Sequence, residues 1–340
     1  MDTPVASPYA ELICALAAAR SQPLWDRYHR ITTRHPQSPS GAHLWAWAEM
    51  EPLVQRAIRD VSMEDAERRV LLLARPDAPE SVATMRNLSG GLQTLLPGEV
   101  ARAHRHALAA LRFVMQGSGA ITTVNDEPCL MEEGDLVLTP SWTWHEHTHP
   151  GTGRMVWFDG LDLPLLHHLD AMFFELVAPG LATVHPSSTR PSAAPVDCSV
   201  LLPDVAASGR SYRYSAASAV TALADSAPRA DGSRLLRYVD AQSQGPALPT
   251  LDCYLLGLGQ AQPTRKRRST SAAICVVAQG EGTSSMGDAT LQWKRNDVFT
   301  IPHWQWVTHA ASSDDARLFL MTDRDLLAGM GYLREEEAAA

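Results

Sequence analysis

Basic residues are in the minority in this 340-residue chain, with 29 Lys and Arg against 38 Asp and Glu and a formal charge of −9. Phosphate binding needs a clustered positive surface, so nucleic acid is not an expected partner. A small anionic substrate is not excluded, because it feels only a local pocket. Disulfide frameworks are also disfavoured. The five cysteines, Cys14, Cys129, Cys198, Cys253 and Cys275, are odd in number, widely spaced and free of any C-x-x-C pair. That usage suits reduced thiols in the cytoplasm. No apolar run approaches the roughly 20 residues of a membrane helix. The start lacks a basic stretch followed by an apolar one, so neither a signal peptide nor a membrane partner is expected.

What is present suits two modest domains. Helices are predicted over Ala10 to Arg20, Glu49 to Arg59 and Ser62 to Ala74, the last opened by Ser62 with acidic residues in its first turn and stopped at Pro76. From about Ser81 the texture changes to short β-branched and aromatic runs between Gly and Pro, with a hairpin signal at Asn125-Asp126. Such spacing points to a sandwich or barrel. Pro164 to Leu176 reads as a further helix. Residues 178–232 read as a Pro/Ser/Ala/Gly-rich linker with a helix near Ala216 to Ala224, and a second set of strands begins near Leu251.

The two strand-rich stretches repeat each other. Val114-Met-Gln-Gly-Ser-Gly119 matches Val277-Ala-Gln-Gly-Glu-Gly282, and Gly134-Asp-Leu-Val-Leu-Thr-Pro140-Ser-Trp-Thr-Trp144 matches Asn296-Asp-Val-Phe-Thr-Ile-Pro302-His-Trp-Gln-Trp306. A duplicated β-domain follows. The expected division is a helical arm over 1–80, a first β-domain over 81–177, the linker over 178–232 and a second β-domain over 233–340.

Only the first copy carries a metal-ligand pattern. Gly98 precedes His104-Arg-His106, and Pro140 precedes His145-Glu-His147. Two histidines at i and i+2 on a strand share a face, and a third from a neighbouring strand completes three adjacent coordination corners. A lone H-x-H usually means nothing. The pairing of both motifs with the same Gly and Pro punctuation is what gives it weight. Imidazoles suit several metals, so spacing does not choose one. If strand direction held from His104 through Arg112, Arg112 would face inward, where a guanidinium needs an anionic partner. His147 shares a face with His145 and could hydrogen-bond a substrate or move a proton. In bland readings Arg112 merely pairs with Asp159, and Trp142 and Trp144 build barrel wall. The second copy has Arg265-Lys-Arg-Arg-Ser-Thr-Ser271 where the histidine pair would stand, and Val307 in place of His145; only His309 survives, opposite His147. It is expected to be structural or oligomeric.

Pro97-Gly-Glu-Val-Ala-Arg-Ala-His-Arg-His106, Ala110-Leu-Arg-Phe-Val114, Leu138-Thr-Pro-Ser-Trp-Thr-Trp-His-Glu-His147 and Val156-Trp-Phe-Asp-Gly-Leu-Asp-Leu-Pro164 resemble the gentisate 1,2-dioxygenase family of the cupin superfamily. The resemblance implies a bicupin: an all-β fold with helical additions, two tandem jelly-roll barrels and an N-terminal helical arm. It implies Fe(II) held by His104, His106 and His145, without the glutamate that other cupins place near Ala110. The reaction implied uses O2 to cleave a small aromatic acid between its carboxyl-bearing carbon and the hydroxylated neighbour; gentisate would give maleylpyruvate. Three neutral ligands leave the site at +2, which suits a chelating dianion. Arg68 and Gln93 are implied pocket residues, Asp159 an orienting carboxylate, and a homotetramer the assembly. Salicylate or 1-hydroxy-2-naphthoate are rival substrates, with Ser89 placed where that choice could be set. A non-catalytic aromatic-acid sensor and a seed-storage-like bicupin are rivals from other classes.

Overall fold

Alternating burial closes the short runs into barrels. Ala120–Val124 runs buried, half-buried, buried, half-buried, buried, as a strand does with one face on a core and one towards solvent. Its turn to Glu127–Met131 uses Asn125 and Asp126, both at positive φ (45° and 66°), as a two-residue hairpin requires. The computed structural model describes residues 7–37, 41–176, 199–204, 211–260 and 262–338. Cys198 and about half of the expected linker, 178–198 and 205–210, lie outside these residues. Two units are distinguished, 1–37 and 38–340. The first holds the helices Pro8–Ala18, capped by Ser7, and Tyr28–Ile31.

The second unit holds both barrels. In the first barrel, Ser89–Leu95, Met155–Leu161, Ala110–Gln116 and Leu136–Thr139 form the centre of a six-stranded sheet. A five-stranded sheet faces it, ordered Phe174–Leu176, Val100–His106, His145–Thr148, Ala120–Val124, Glu127–Met131. The second barrel repeats the plan with seven and five strands. Leu95, Val114, Met131 and Trp157 fill the first barrel, and Val277, Trp293 and Phe299 fill the second. The largest core lies between the barrels, where Phe113 stacks on Phe319 at 4.3 Å. Sheets approach closely there: a Cβ on Gly160 would lie 2.3 Å from the Met321 sulfur.

The barrels also exchange edges. Leu44–Trp45 pairs with Phe299 and Val298 of the second barrel, and Arg213–Tyr214 pairs with Val137 and Leu136 of the first. Each short strand leads into a helix, Trp47–Asp60 or Ala216–Asp225, whose first N–H donates to an aspartate of the barrel it has crossed to: Trp47 N to Asp297 (2.6 Å) and Ala216 N to Asp135 (2.8 Å). The carboxylates take N–H groups that have no partner within the helix.

Two expected helices are shorter than the sequence suggests. The one expected over Ser62 to Ala74 ends at Ala66, since Glu67 takes φ 52°, and Arg69–Leu72 joins the six-stranded sheet beside Ser89–Leu95. The one expected over Pro164 to Leu176 stops at His168, and Phe174–Leu176 pairs with His104 to His106. In both, sheet pairing overrides local helical preference.

Candidate active site

His104 and His106 share the inner face of the Val100–His106 strand, and His145 lies directly opposite His104 in register. The ring centroids are 4.2, 4.7 and 5.0 Å apart, all three rings are buried, and one nitrogen from each falls within 4.8 Å of the others. Backbone carbonyls orient them. Nδ1 lies 2.9 Å from the Leu108 oxygen in His106, 3.0 Å from Thr143 in His145 and 3.3 Å from Arg102 in His104. A carbonyl only accepts, so in His106 and His145 Nδ1 carries the proton and Nε2 presents a lone pair. His145 Nε2 is buried and makes no hydrogen bond within the protein. Three converging lone pairs, one of them buried and unpartnered, fit a first-row divalent metal.

Burial keeps these rings neutral. It pushes His106 down to about 4 and His104 further, and it holds His145 well below its ordinary value, helped by Arg68 at His104 and Arg112 at His145. Metal binding needs the neutral form. An exposed triad would lose affinity as pH falls through 6.5; here proton competition waits until pH nears 4 at His106. Zinc uptake by the metal-free protein, followed calorimetrically, is therefore expected to stay flat from about pH 8 to about pH 5. Stability moves differently. The unfolded chain takes up protons below 6.5 that the folded chain refuses, so the metal-free fold weakens as pH falls from 6.5 towards 4. Thermal melts across that window check it.

The opposing wall is polar. Gln93 pairs with Trp157, and Asp159 with Arg112, so all four side chains share the inner face of the six-stranded sheet. Arg112 hydrogen-bonds Thr139 through Nη1, and its Nε lies 3.5 Å from Asp159 Oδ1 without a hydrogen bond. Burial lowers the Arg112 pKa and raises that of Asp159. The pair is thus under-satisfied for two buried charges. Neither polar atom of Gln93 is hydrogen-bonded within the protein, nor is His147 Nε2. His147 Nδ1 lies 2.9 Å from Thr122 Oγ1, and its ring sits 5.5 Å from Trp157. Arg68 contacts His104 Nδ1 and donates to the Arg102 oxygen at 2.8 Å. A guanidinium cannot accept a proton, so only the Arg102 contact survives in the tautomer that frees His104 Nε2. Burial brings Arg68 down to about 10.

The candidates therefore meet, though not always as expected. The strand does not run from His104 through Arg112. It ends at His106, and Arg112 reaches the interior from the facing sheet. Ser89 is buried and spends its hydroxyl on the Val82 carbonyl. The Arg105 guanidinium lies over the Trp142 and Trp144 rings, 4.4 and 4.8 Å from their centroids. Thr122, Thr139 and Phe174, whose ring lies 5.2 Å from His104, were not anticipated. Among the described residues the triad is the one cluster with metal-ligand geometry. In the second barrel, Arg267 and Val307 hold the register positions of His104 and His145.

Two jelly rolls in tandem, with one three-histidine cluster among the described residues, in the first barrel, define a bicupin with a candidate metal site. The Cupin domain family matches residues 91–161. Gentisate 1,2-dioxygenase 1 of Aquipseudomonas alcaligenes is 35% identical over 92% of each chain. The 5-aminosalicylate 1,2-dioxygenase of a Comamonas species is 32% identical over 96% of this chain and 89% of its own. The salicylate 1,2-dioxygenase of Pseudoaminobacter salicylatoxidans, crystallised with gentisate, superposes with a TM-score of 0.86 at 27% identity, covering 100% of this chain and 96% of the other. The chain belongs to the gentisate 1,2-dioxygenase family.

Proposed function

We propose that the protein is an Fe(II)-dependent dioxygenase that opens the ring of gentisate with O2 to give maleylpyruvate. The observation that carries this is the pairing of three neutral imidazoles with a facing wall whose arginines lack full anionic partners. Bound at the triad, Fe(II) would hold an aromatic acid through its carboxylate and neighbouring hydroxyl and pass electrons between ring and O2. Arg112 and Arg68 bind and orient the acid's oxygens, in charge-assisted hydrogen bonds. Asp159 fixes the Arg112 guanidinium. His147 presents Nε2 to the ring hydroxyls, where it holds or moves a proton. Gln93 hydrogen-bonds the substrate, and Trp157 with the barrel core excludes water. Cysteine usage and the family support a cytoplasmic homotetramer.

The relatives named for 5-aminosalicylate and salicylate favour a second reading, in which the ring carries a different substituent or none at the second hydroxyl position. Iron-free protein reloaded with Fe(II) and assayed for O2 uptake on gentisate, salicylate and 1-hydroxy-2-naphthoate separates the readings. Fastest uptake on gentisate, with a ring-opened keto acid, is expected. Binding of all three without uptake would leave only a sensor.

Gln93 offers a sharper check. A buried amide without protein partners costs stability, on the order of 1–3 kcal/mol. Gln93→Met is therefore expected to raise the melting temperature while raising KM about tenfold, the cost of one lost substrate hydrogen bond. Calorimetry and steady-state kinetics on the same preparation measure both.

A further inference from the structure

The second barrel keeps a cavity of about 430 Å³ where the first holds its triad, a size suited to a small molecule. Two matching bonds align the barrels: Ala109 N donates to Asp162 (2.8 Å), and Ala272 N to Asp323 (2.9 Å). Counting from them, Gln93, Arg112 and Asp159 correspond to Leu256, Cys275 and Leu320. The polar wall has become apolar. At the ligand positions stand Arg267, Ser269 and Val307.

The surviving histidine hydrogen-bonds a buried serine. Trp293 Nε1 donates to Ser284 Oγ at 2.8 Å, and His309 Nδ1 lies 2.7 Å from the same oxygen, within reach of the serine's own proton. With Nδ1 accepting, Nε2 carries the hydrogen, and His309 lines the cavity. Burial pushes His309 down to about 4, so the ring is neutral at pH 7. Two residues along the same face, Val307 pairs with Arg267, whose Nε is buried and makes no hydrogen bond within the protein. Its Nη2 meets the half-exposed carboxylate of Glu337 at 2.7 Å. Glu337 belongs to Glu335–Glu337, which pairs along Arg267–Ser269 just as Phe174–Leu176 pairs along the histidine strand of the first barrel. Glu335 and Glu337 thus lie where Phe174 and Leu176 lie in the other copy, and Glu337 sets a carboxylate on the arginine at the cavity mouth.

We propose that this cavity binds a small aromatic monocarboxylate, its carboxylate held by Arg267 and the His309 Nε2–H and its ring against Leu256, Leu320 and Val307, with Glu337 as the built-in competitor. The test is binding of 4-fluorobenzoate to the iron-free, full-length protein, followed by ¹⁹F NMR. Two sites per chain are expected in the wild type. Arg267→Met and Val307→Trp, the latter filling the cavity, should each leave one. Glu337→Gln should tighten the second site about two- to fivefold, the scale of an exposed ion pair. Iron-loaded Arg267→Met, Val307→Trp and Glu337→Gln should turn over gentisate at the wild-type rate, which also reports an intact fold. A single site per chain in the wild type that survives Arg267→Met and Val307→Trp overturns the proposal. So do two sites that both survive Arg267→Met and Val307→Trp.

Discussion

His145→Ala is expected to abolish ring cleavage and strip the protein of iron. In the proposed centre the residue gives one of three ligand nitrogens, is buried, and has its Nδ1 held by the Thr143 carbonyl. Loss of groups that only orient a metal ligand typically costs 10- to 100-fold in affinity, and loss of the ligand itself should cost at least about 100-fold. His147→Ala is the informative contrast. His147 faces the same interior but stands outside the triad, hydrogen-bonded to Thr122. That variant should keep stoichiometric iron while kcat falls by about 10² to 10⁴, the range for loss of a positioned acid or base. Metal analysis beside kinetics distinguishes the two. If both variants lost iron equally, His147 would be a ligand and the division of roles between the two histidines would be wrong.

Arg112→Met should damage stability and turnover together, and the two effects should separate in a double variant. Removing the guanidinium strands Asp159 in a buried site, which costs about 3–5 kcal/mol. Adding Asp159→Asn removes the stranded charge and should recover most of that loss. Turnover should not recover, because Arg112 is also proposed to hold the substrate's oxygens. Denaturant unfolding and kcat/KM on the single and double variants provide the cycle. A double variant that regained both would reduce Arg112 and Asp159 to a structural pair, the bland reading of the sequence.

The triad was legible because its signals are local. Gly98 precedes the strand of the histidine pair, Pro140 closes the strand before that of His145, and i, i+2 spacing fixes a common face for His104 and His106. The duplication was legible too, since matching turns leave matching Gly and Pro punctuation. Arg112 was anticipated through a continuous strand that does not exist; it reaches the pocket because Asp159 sits opposite it in register. Thr122 and Thr139 gave no signal, since each acts through a partner on another strand. Phe174 was hidden in a helix-like run that the sheet pulls straight. The exchanged edges are two-residue strands, too short for any period to register, and their partners lie far away in sequence.

The most direct measurement titrates Fe(II) into iron-free protein under argon and follows with O2 uptake on gentisate. Uptake should rise linearly and break at one iron per chain, with one O2 consumed per ring opened. Uptake by the iron-free protein, or a break at two irons per chain, would contradict a single catalytic centre in the first barrel.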